Sequence, residues 1–121
     1  MRIKRNIFTL SICLVTLAAV GCGKQKGTVL GKAPKGEPQT VLAVREGITP
    51  PSLTLRGAVL EKCPTAGCWF LIADRTGGLK VDTKNAGFVV TKIPLQTEVT
   101  VSGKIVYEGS EPVLEATGLR Y

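Results

Sequence analysis

Histidine is absent from this 121-residue sequence, and methionine (one residue) and aromatic residues (5%) are scarce. Without histidine the chain cannot assemble a Ser-His-Asp triad, attach haem through a C-x-x-C-H motif or offer an imidazole to a metal ion. The length allows one small domain and excludes a multidomain enzyme. The carboxylates cluster around predicted turns, where acidic residues are common, and form no evident pair of general acid and general base. We therefore expect a protein that is not an enzyme.

The N-terminal segment has the layout of a secretory signal. Arg2, Lys4 and Arg5 precede an apolar run over residues 7–20. This run would span only about 21 Å as a helix, less than the roughly 30 Å of a bilayer core, so it favours a cleaved signal over a membrane span. The sequence Ala19-Val20-Gly21-Cys22 that follows resembles a bacterial lipobox. We predict a lipoprotein signal peptide over residues 1–21.

The lipobox resemblance implies that Cys22 carries acyl chains such as palmitate and anchors the mature protein to a membrane of the bacterial cell envelope without a transmembrane helix. Gly23 follows Cys22, where an Asp would indicate retention in the inner membrane. We therefore favour the outer membrane, with the protein facing the periplasm. Cys13 leaves with the signal, so Cys63 and Cys68 are the thiols of the mature chain.

Residues 22–39 contain many Gly, Lys and Pro residues and few large apolar ones, which predicts a flexible tether. Its four lysines (Lys24, Lys26, Lys32 and Lys35) either contact anionic lipid headgroups or belong to a solvated spacer, and the spacer is favoured. The formal charge of +7 lies almost entirely in the signal and the tether, because residues 45–121 hold nine basic and eight acidic residues. The charge is thus no indication of a nucleic-acid site.

Residues 40–121 have the alternating apolar pattern of strands and no window with helical periodicity. We predict a short edge strand at Val41, Leu42 and Val44 and a main strand from Leu53, bulged at Gly57. Four further main strands follow at residues 69–73, 79–83, 99–107 and 113–121. The predicted fold class is all-β, a small five-stranded, partly closed antiparallel barrel over residues 40–121.

Two resemblances carry this prediction further. The runs at residues 55–59 and 99–105 make residues 50–121 resemble an OB-fold. Cys63, Cys68 and Trp69 match the Cys-x4-Cys-Trp signature of a family of small exported bacterial domains of unknown function, and Gly87-Phe88-Val89-Val90 resembles its downstream segment. Neither resemblance implies a defined activity, because a fold does not fix a function.

The cysteine pair is the most reactive chemistry in the sequence. In an oxidising compartment Cys63 and Cys68 are most simply a structural disulfide, and closing so short a loop would stabilise the domain by roughly 2 kcal/mol. The alternative is a periplasmic thiol protein that binds a soft metal such as Cu(I) or exchanges disulfides, with Lys62 lowering the pKa of Cys63. The leading interpretation requires no cofactor and no metal.

We interpret the protein as a lipid-anchored OB-like binding or scaffold module whose partner is an unidentified envelope protein or glycan. Lys62, Trp69 and Phe88 are the candidate binding surface, although for Trp69 the favoured role is to cover the cysteine bridge. A further alternative is an oligonucleotide- or oligosaccharide-binding module with an aromatic side chain as a stacking platform. Nucleic acid is not expected, because the predicted domain is nearly neutral.

Overall fold

The structure, a computed structural model, describes residues 27–121. The predicted signal peptide, Cys13, Cys22 and the first residues of the predicted tether lie outside this range. The described chain contains six strands, one short α-helix and one turn of 3-10 helix at Lys84–Ala86. The strands and the helix are β1 (Val29–Gly31), α1 (Val41–Arg45), β2 (Leu53–Lys62), β3 (Trp69–Asp74), β4 (Gly77–Asp82), β5 (Glu98–Glu108) and β6 (Glu111–Arg120).

Five strands close into a barrel in the order β5-β2-β3-β4-β6, and β6 pairs back onto β5. This confirms the all-β, five-stranded OB-like prediction. The barrel is closed rather than partly open, and one of its pairings is parallel, between Lys80–Asp82 of β4 and Val113–Glu115 of β6. The side chains that point inward along the strands form one apolar core, together with Val90 and Ile93 of the loop between β4 and β5. Its largest fully buried side chains are Phe70, Leu55, Ile72, Leu79, Ile93, Leu114 and Leu119.

The predicted edge strand at Val41, Leu42 and Val44 is wrong, because these residues lie in helix α1. Three polar side chains satisfy the helix's first amide groups: Thr40 accepts from Ala43 N–H, Asp74 from Val41 N–H and Thr76 from Leu42 N–H. Val41 and Val44 lie on the buried face. Two of the three polar groups come from the β3–β4 turn, so the helix depends on a distant part of the chain.

The flexible tether predicted over residues 22–39 is wrong for most of its described part. Val29–Gly31 forms β1, which pairs antiparallel with Gly118–Arg120 at the end of β6. Farther on, Gln39 bridges to β2 and its amide donates to the Thr54 carbonyl oxygen at 2.7 Å. The folded unit therefore begins before residue 40. Polar and glycine-rich composition did not reveal this, because the stabilising partners lie on β2, β5 and β6.

The bulge in β2 lies beyond the predicted position. The register between β2 and β3 shifts between Val59 and Glu61, whereas Gly57 stays paired with Val99 of β5. Gly57 is required for another reason: a Cβ atom there would overlap the carbonyl oxygen of Ala73. The shift lies just before the Cys63–Cys68 turn. Within residues 27–121, no helix is long and apolar enough to cross a membrane.

Candidate thiol site

The Cys63–Cys68 segment forms the turn that connects β2 to β3. The Cys63 N–H donates to the Trp69 carbonyl oxygen at 2.9 Å and closes the turn at its base. Gly67 adopts a left-handed backbone (φ +61°) that favours glycine, and a Cβ atom there would press against Thr91. Both cysteines are half-buried. The turn therefore presents two sulfur atoms on the same side, with partial access from solvent.

The two Sγ atoms lie 3.5 Å apart. A disulfide bond measures about 2.05 Å, so the predicted Cys63–Cys68 bridge is not formed in this structure and both residues are free thiols. Cys68 Sγ donates to Cys63 Sγ. The pair is thus a thiol hydrogen-bonded to its neighbour, at a separation from which a small movement would bring the sulfurs to bonding distance.

Backbone amides stabilise the thiolate form of Cys63. The N–H groups of Ala66 and Thr65 donate to its sulfur, the Thr65 hydroxyl adds a weaker contact at 3.7 Å, and together they lower the pKa of Cys63 to about 6. Successive amides that converge on one atom in this way form an anion-binding concavity. Near neutral pH, Cys63 is therefore the nucleophilic member of the pair.

The environment of Cys68 has the opposite effect. The hydrogen bond to Cys63 raises the pKa of Cys68, and partial burial and the negative charge on Cys63 raise it further, against a lowering by the backbone amide of Cys68 and by Lys84. Cys68 therefore keeps its proton while Cys63 is ionised. This asymmetry gives the two cysteines different chemical roles, one as the attacking thiolate and one as the donor beside it.

The structure gives Lys62 a different role from the predicted one. Its ammonium group donates to the carbonyl oxygens of Ile93, at 2.5 Å, and Thr91, at 3.2 Å. The lowered pKa of Cys63 arises from turn amides, and Lys62 is not among its causes. Lys62 instead ties the loop after β4 to the end of β2.

That loop also supports the cysteine turn directly. The Thr83 N–H donates to the Cys68 carbonyl oxygen at 2.9 Å, and the Val90 N–H donates to the Gly67 carbonyl oxygen at 3.1 Å. The Thr83 side chain is fully buried. Sequence reasoning missed Thr65, Ala66 and Thr83, although the Pro-Thr-Ala-Gly composition of the turn was a signal for exposed, orientable amides.

The other two residues of the predicted binding surface lie in separate surroundings. The Lys80 ammonium lies over the half-buried Trp69 ring, 5.7 Å from the ring centroid. Phe88 packs against the core and lies beside Gly31 of β1. A base or sugar stacking on the same face of Trp69 would have to displace Lys80. Phe88 instead packs where β1 meets the barrel.

A groove of about 430 Å³ runs beside the thiol pair and includes Cys63 in its lining. Leu60 and Leu95, 41% and 53% exposed, contribute apolar surface, and Pro64 and Thr91 form part of its walls. The groove leaves room for an extended segment of another molecule next to the Cys63 sulfur. Within residues 27–121, no group of three or more His, Cys, Asp or Glu side chains is arranged to hold a metal ion.

Comparison with known proteins bears on the fold. No protein-family profile matches the chain, and no curated protein matches it. Among solved structures, the chain is similar to the hypothetical protein YgiW from E. coli, with a TM-score of 0.55 and 16% sequence identity, over 73% of this chain and 94% of that one. At this identity the likeness establishes a small OB-like barrel fold and nothing about function.

Proposed function

We propose that the protein is a cell-envelope OB-like module that exchanges disulfides reversibly through Cys63 and Cys68. The observation that supports this most directly is the 3.5 Å contact between two half-buried sulfurs on one turn. Their unequal surroundings fit exchange better than a permanent bridge, because amides that stabilise the Cys63 thiolate favour the reduced form. The turn is also closed by backbone hydrogen bonds, so its shape does not require a disulfide.

The exchange proceeds in two balanced steps. The Cys63 thiolate attacks one sulfur of a partner protein's disulfide, forming a mixed disulfide and releasing the partner's other sulfur as a thiolate that takes a proton from solvent. Cys68 then loses its proton to solvent and attacks Cys63 Sγ, which breaks the mixed disulfide and releases the second partner thiol. The partner gains two electrons and the Cys63–Cys68 disulfide forms. A dithiol partner reverses the sequence.

The groove beside Cys63 fits this role. Leu60, Pro64 and Leu95 offer apolar surface to an extended polypeptide whose cysteine reaches the Cys63 sulfur. The hydrogen bonds from Lys62 to the carbonyl groups of Thr91 and Ile93 hold one wall of the groove in place. The proposed partner is therefore a cysteine-containing protein segment rather than a small dissolved thiol.

The proposal is tested with the full-length Cys68→Ser and Cys63→Ser variants and a peptide disulfide flanked by leucines. The Cys68→Ser variant should accumulate a mixed disulfide at Cys63, since the resolving thiol is missing, and mass spectrometry should detect the adduct. The matched Cys63→Ser variant should react far more slowly near neutral pH, because Cys68 lacks the Ala66 and Thr65 amides that lower the pKa of Cys63. Equal rates for the two variants would overturn the assignment of roles.

We further propose that Cys22 carries the lipid that anchors this domain in the envelope. The lipobox-like sequence before Cys22 supports the proposal, and β1 begins only seven residues after Cys22, which would keep the barrel close to the membrane surface. Incorporation of labelled palmitate into the wild type, and its loss in Cys22→Ala, is the expected result. Labelling that persists in Cys22→Ala would refute the anchor.

A further inference from the structure

A second pocket lies apart from the cysteine turn, between the segment after β1 and strands β5 and β6. It encloses about 550 Å³. Its lining includes Lys32, Lys35 and Lys104, together with the hydroxyl-bearing Ser52 and Thr117, and contains no acidic residue. Lys32 and Lys35 belong to the stretch that was predicted to be a flexible tether. The fold brings them to the same pocket as Lys104 of β5.

The backbone positions of the first two lysines are fixed. The Lys32 N–H donates to the Thr117 carbonyl oxygen at 3.1 Å, and the Lys32 backbone lies so close to Gly118 that a Cβ atom there would overlap its carbonyl oxygen. Lys35 is fixed at both of its backbone polar groups. Its N–H donates to Ser102 Oγ, and its carbonyl oxygen accepts from the Thr54 hydroxyl.

The charge at the pocket is positive beyond what nearby acids offset. Among the ion pairs of residues 27–121, the three pocket lysines take part in one: Lys104 pairs with Glu115 at 3.6 Å, and the Glu115 carboxylate also accepts from Asn85. Lys32, Lys35 and Lys104 are all exposed at the rim. Three lysines that line one concave surface, one of them paired with a carboxylate, attract a compact anion more strongly than isolated surface lysines do.

We propose that this pocket binds a phosphate group. Lysine ammonium groups act as point charges that accept many phosphate geometries, and the hydroxyl group of Ser52 adds a neutral donor. The pocket is large enough for a phosphate with a small attached group. A phosphodiester headgroup of the membrane and a soluble phosphate compound share this chemistry, and the experiment distinguishes them. The proposal is independent of the thiol chemistry.

The test uses the full-length protein in dodecyl maltoside, a detergent without phosphate, titrated separately with inorganic phosphate and with dihexanoyl phosphatidylglycerol. Binding heat is compared among the wild type, the pocket variant Lys32→Gln/Lys35→Gln/Lys104→Gln and the control variant Arg75→Gln/Lys84→Gln/Lys92→Gln. The control removes the same amount of positive charge elsewhere on the described surface. Circular dichroism of each variant verifies that the barrel is intact.

The wild type and the control should bind with similar affinity, and the pocket variant should lose at least about tenfold. Binding of both titrants, or of inorganic phosphate alone, identifies a soluble phosphate site, whereas binding of the lipid alone identifies a headgroup site. The proposal is overturned if neither titrant binds at millimolar concentration, or if pocket and control variants weaken equally. If the triple pocket variant is unfolded, the single variant Lys32→Gln is compared with the wild type instead. Lys32 is exposed and not part of the core, so this change leaves the barrel intact.

Discussion

The hydroxyl groups of Thr54 and Ser102 lie 2.6 Å apart, buried between β2 and β5, and join with Lys35 in a closed ring of hydrogen bonds. Thr54 donates its only hydroxyl proton to the Lys35 carbonyl oxygen. The Ser102 hydroxyl must therefore donate to the Thr54 hydroxyl oxygen. Ser102 Oγ in turn accepts from the Lys35 N–H. The ring explains how a segment of tether-like composition is held on the barrel.

Replacing Thr54 with Val should weaken this attachment. The change leaves the Lys35 carbonyl and the Ser102 hydroxyl without their partners in a buried setting, which costs about 1–3 kcal/mol in the free energy of unfolding. Urea unfolding followed by circular dichroism measures the loss. The matched change Thr49→Val, at an exposed position, should shift the free energy of unfolding by less than about 0.5 kcal/mol. Equal losses in both variants would contradict the ring's role.

Gly118 should not tolerate a side chain. The methyl group of Gly118→Ala would overlap the Lys32 carbonyl oxygen, so either β1 moves off β6 or the barrel is strained, at about 1–3 kcal/mol or more. The control Gly78→Ala, where a Cβ atom would make only ordinary contacts from 3.6 Å outward, should change the free energy of unfolding little. Hydrogen exchange at Leu30 and Leu119 locates the damage. Unchanged protection of both amides in Gly118→Ala would show that β1 does not need this close approach.

Asp74 should make the stability depend on pH in the acid range. Partial burial raises the pKa of Asp74, but hydrogen bonds from the Thr76 hydroxyl and from the N–H groups of Val41, Thr76 and Gly77 outweigh this, and the pKa is lowered. The stabilisation is present above the ordinary Asp pKa, about 3.9, and is lost as pH falls through the lower folded value.

The Asp74→Asn variant should therefore be less stable than the wild type above about pH 5, and the difference should shrink toward pH 2. Thermal unfolding at several pH values measures both curves. A change of the exposed Glu46 to Gln serves as the control and should leave the difference from the wild type nearly constant with pH. A gap between Asp74→Asn and the wild type that widens in acid would contradict the assignment of hydrogen bonds to the carboxylate.

The two cysteines should react at different pH. Cys63, with a pKa of about 6, should react with iodoacetamide at half its maximal rate near pH 6, whereas Cys68, with a raised pKa, should react only in alkaline solution. Peptide mass spectrometry separates the two sites. The thiolate also stabilises the fold above its unfolded pKa, and this contribution is lost as pH falls through about 6. Alkylation of both residues with the same dependence on pH would contradict the asymmetry.

The barrel strands could be predicted because inward and outward residues alternate along them, as in Val99 and Val101 of β5. Helix α1 and strand β1 could not, because five and three residues are too few for a periodic signal and each is stabilised by distant groups. Asp74 and Thr76 fix the helix, and Gly118 admits the segment after β1.

The candidate site was predictable only in part. The spacing of Cys63 and Cys68 indicated a pair on one turn, and the structure brings their sulfurs into contact. The source of the altered reactivity was not predictable, since the direction of the Thr65 and Ala66 amides depends on the turn's backbone rather than on residue type. Adjacency in sequence also misassigned Lys62, whose side chain reaches the carbonyl groups of another loop.

The measurement that tests the central claim most directly is the redox equilibrium of Cys63 and Cys68 in the full-length protein. The protein is equilibrated in glutathione buffers of graded potential, quenched with acid and alkylated, and its mass is measured by mass spectrometry. We predict a midpoint above about −270 mV, with both the dithiol and the disulfide populated across the series, because the Cys63 thiolate stabilises the reduced form. A disulfide that persists below about −300 mV would mark a permanent structural bridge, and thiols that never pair would exclude exchange.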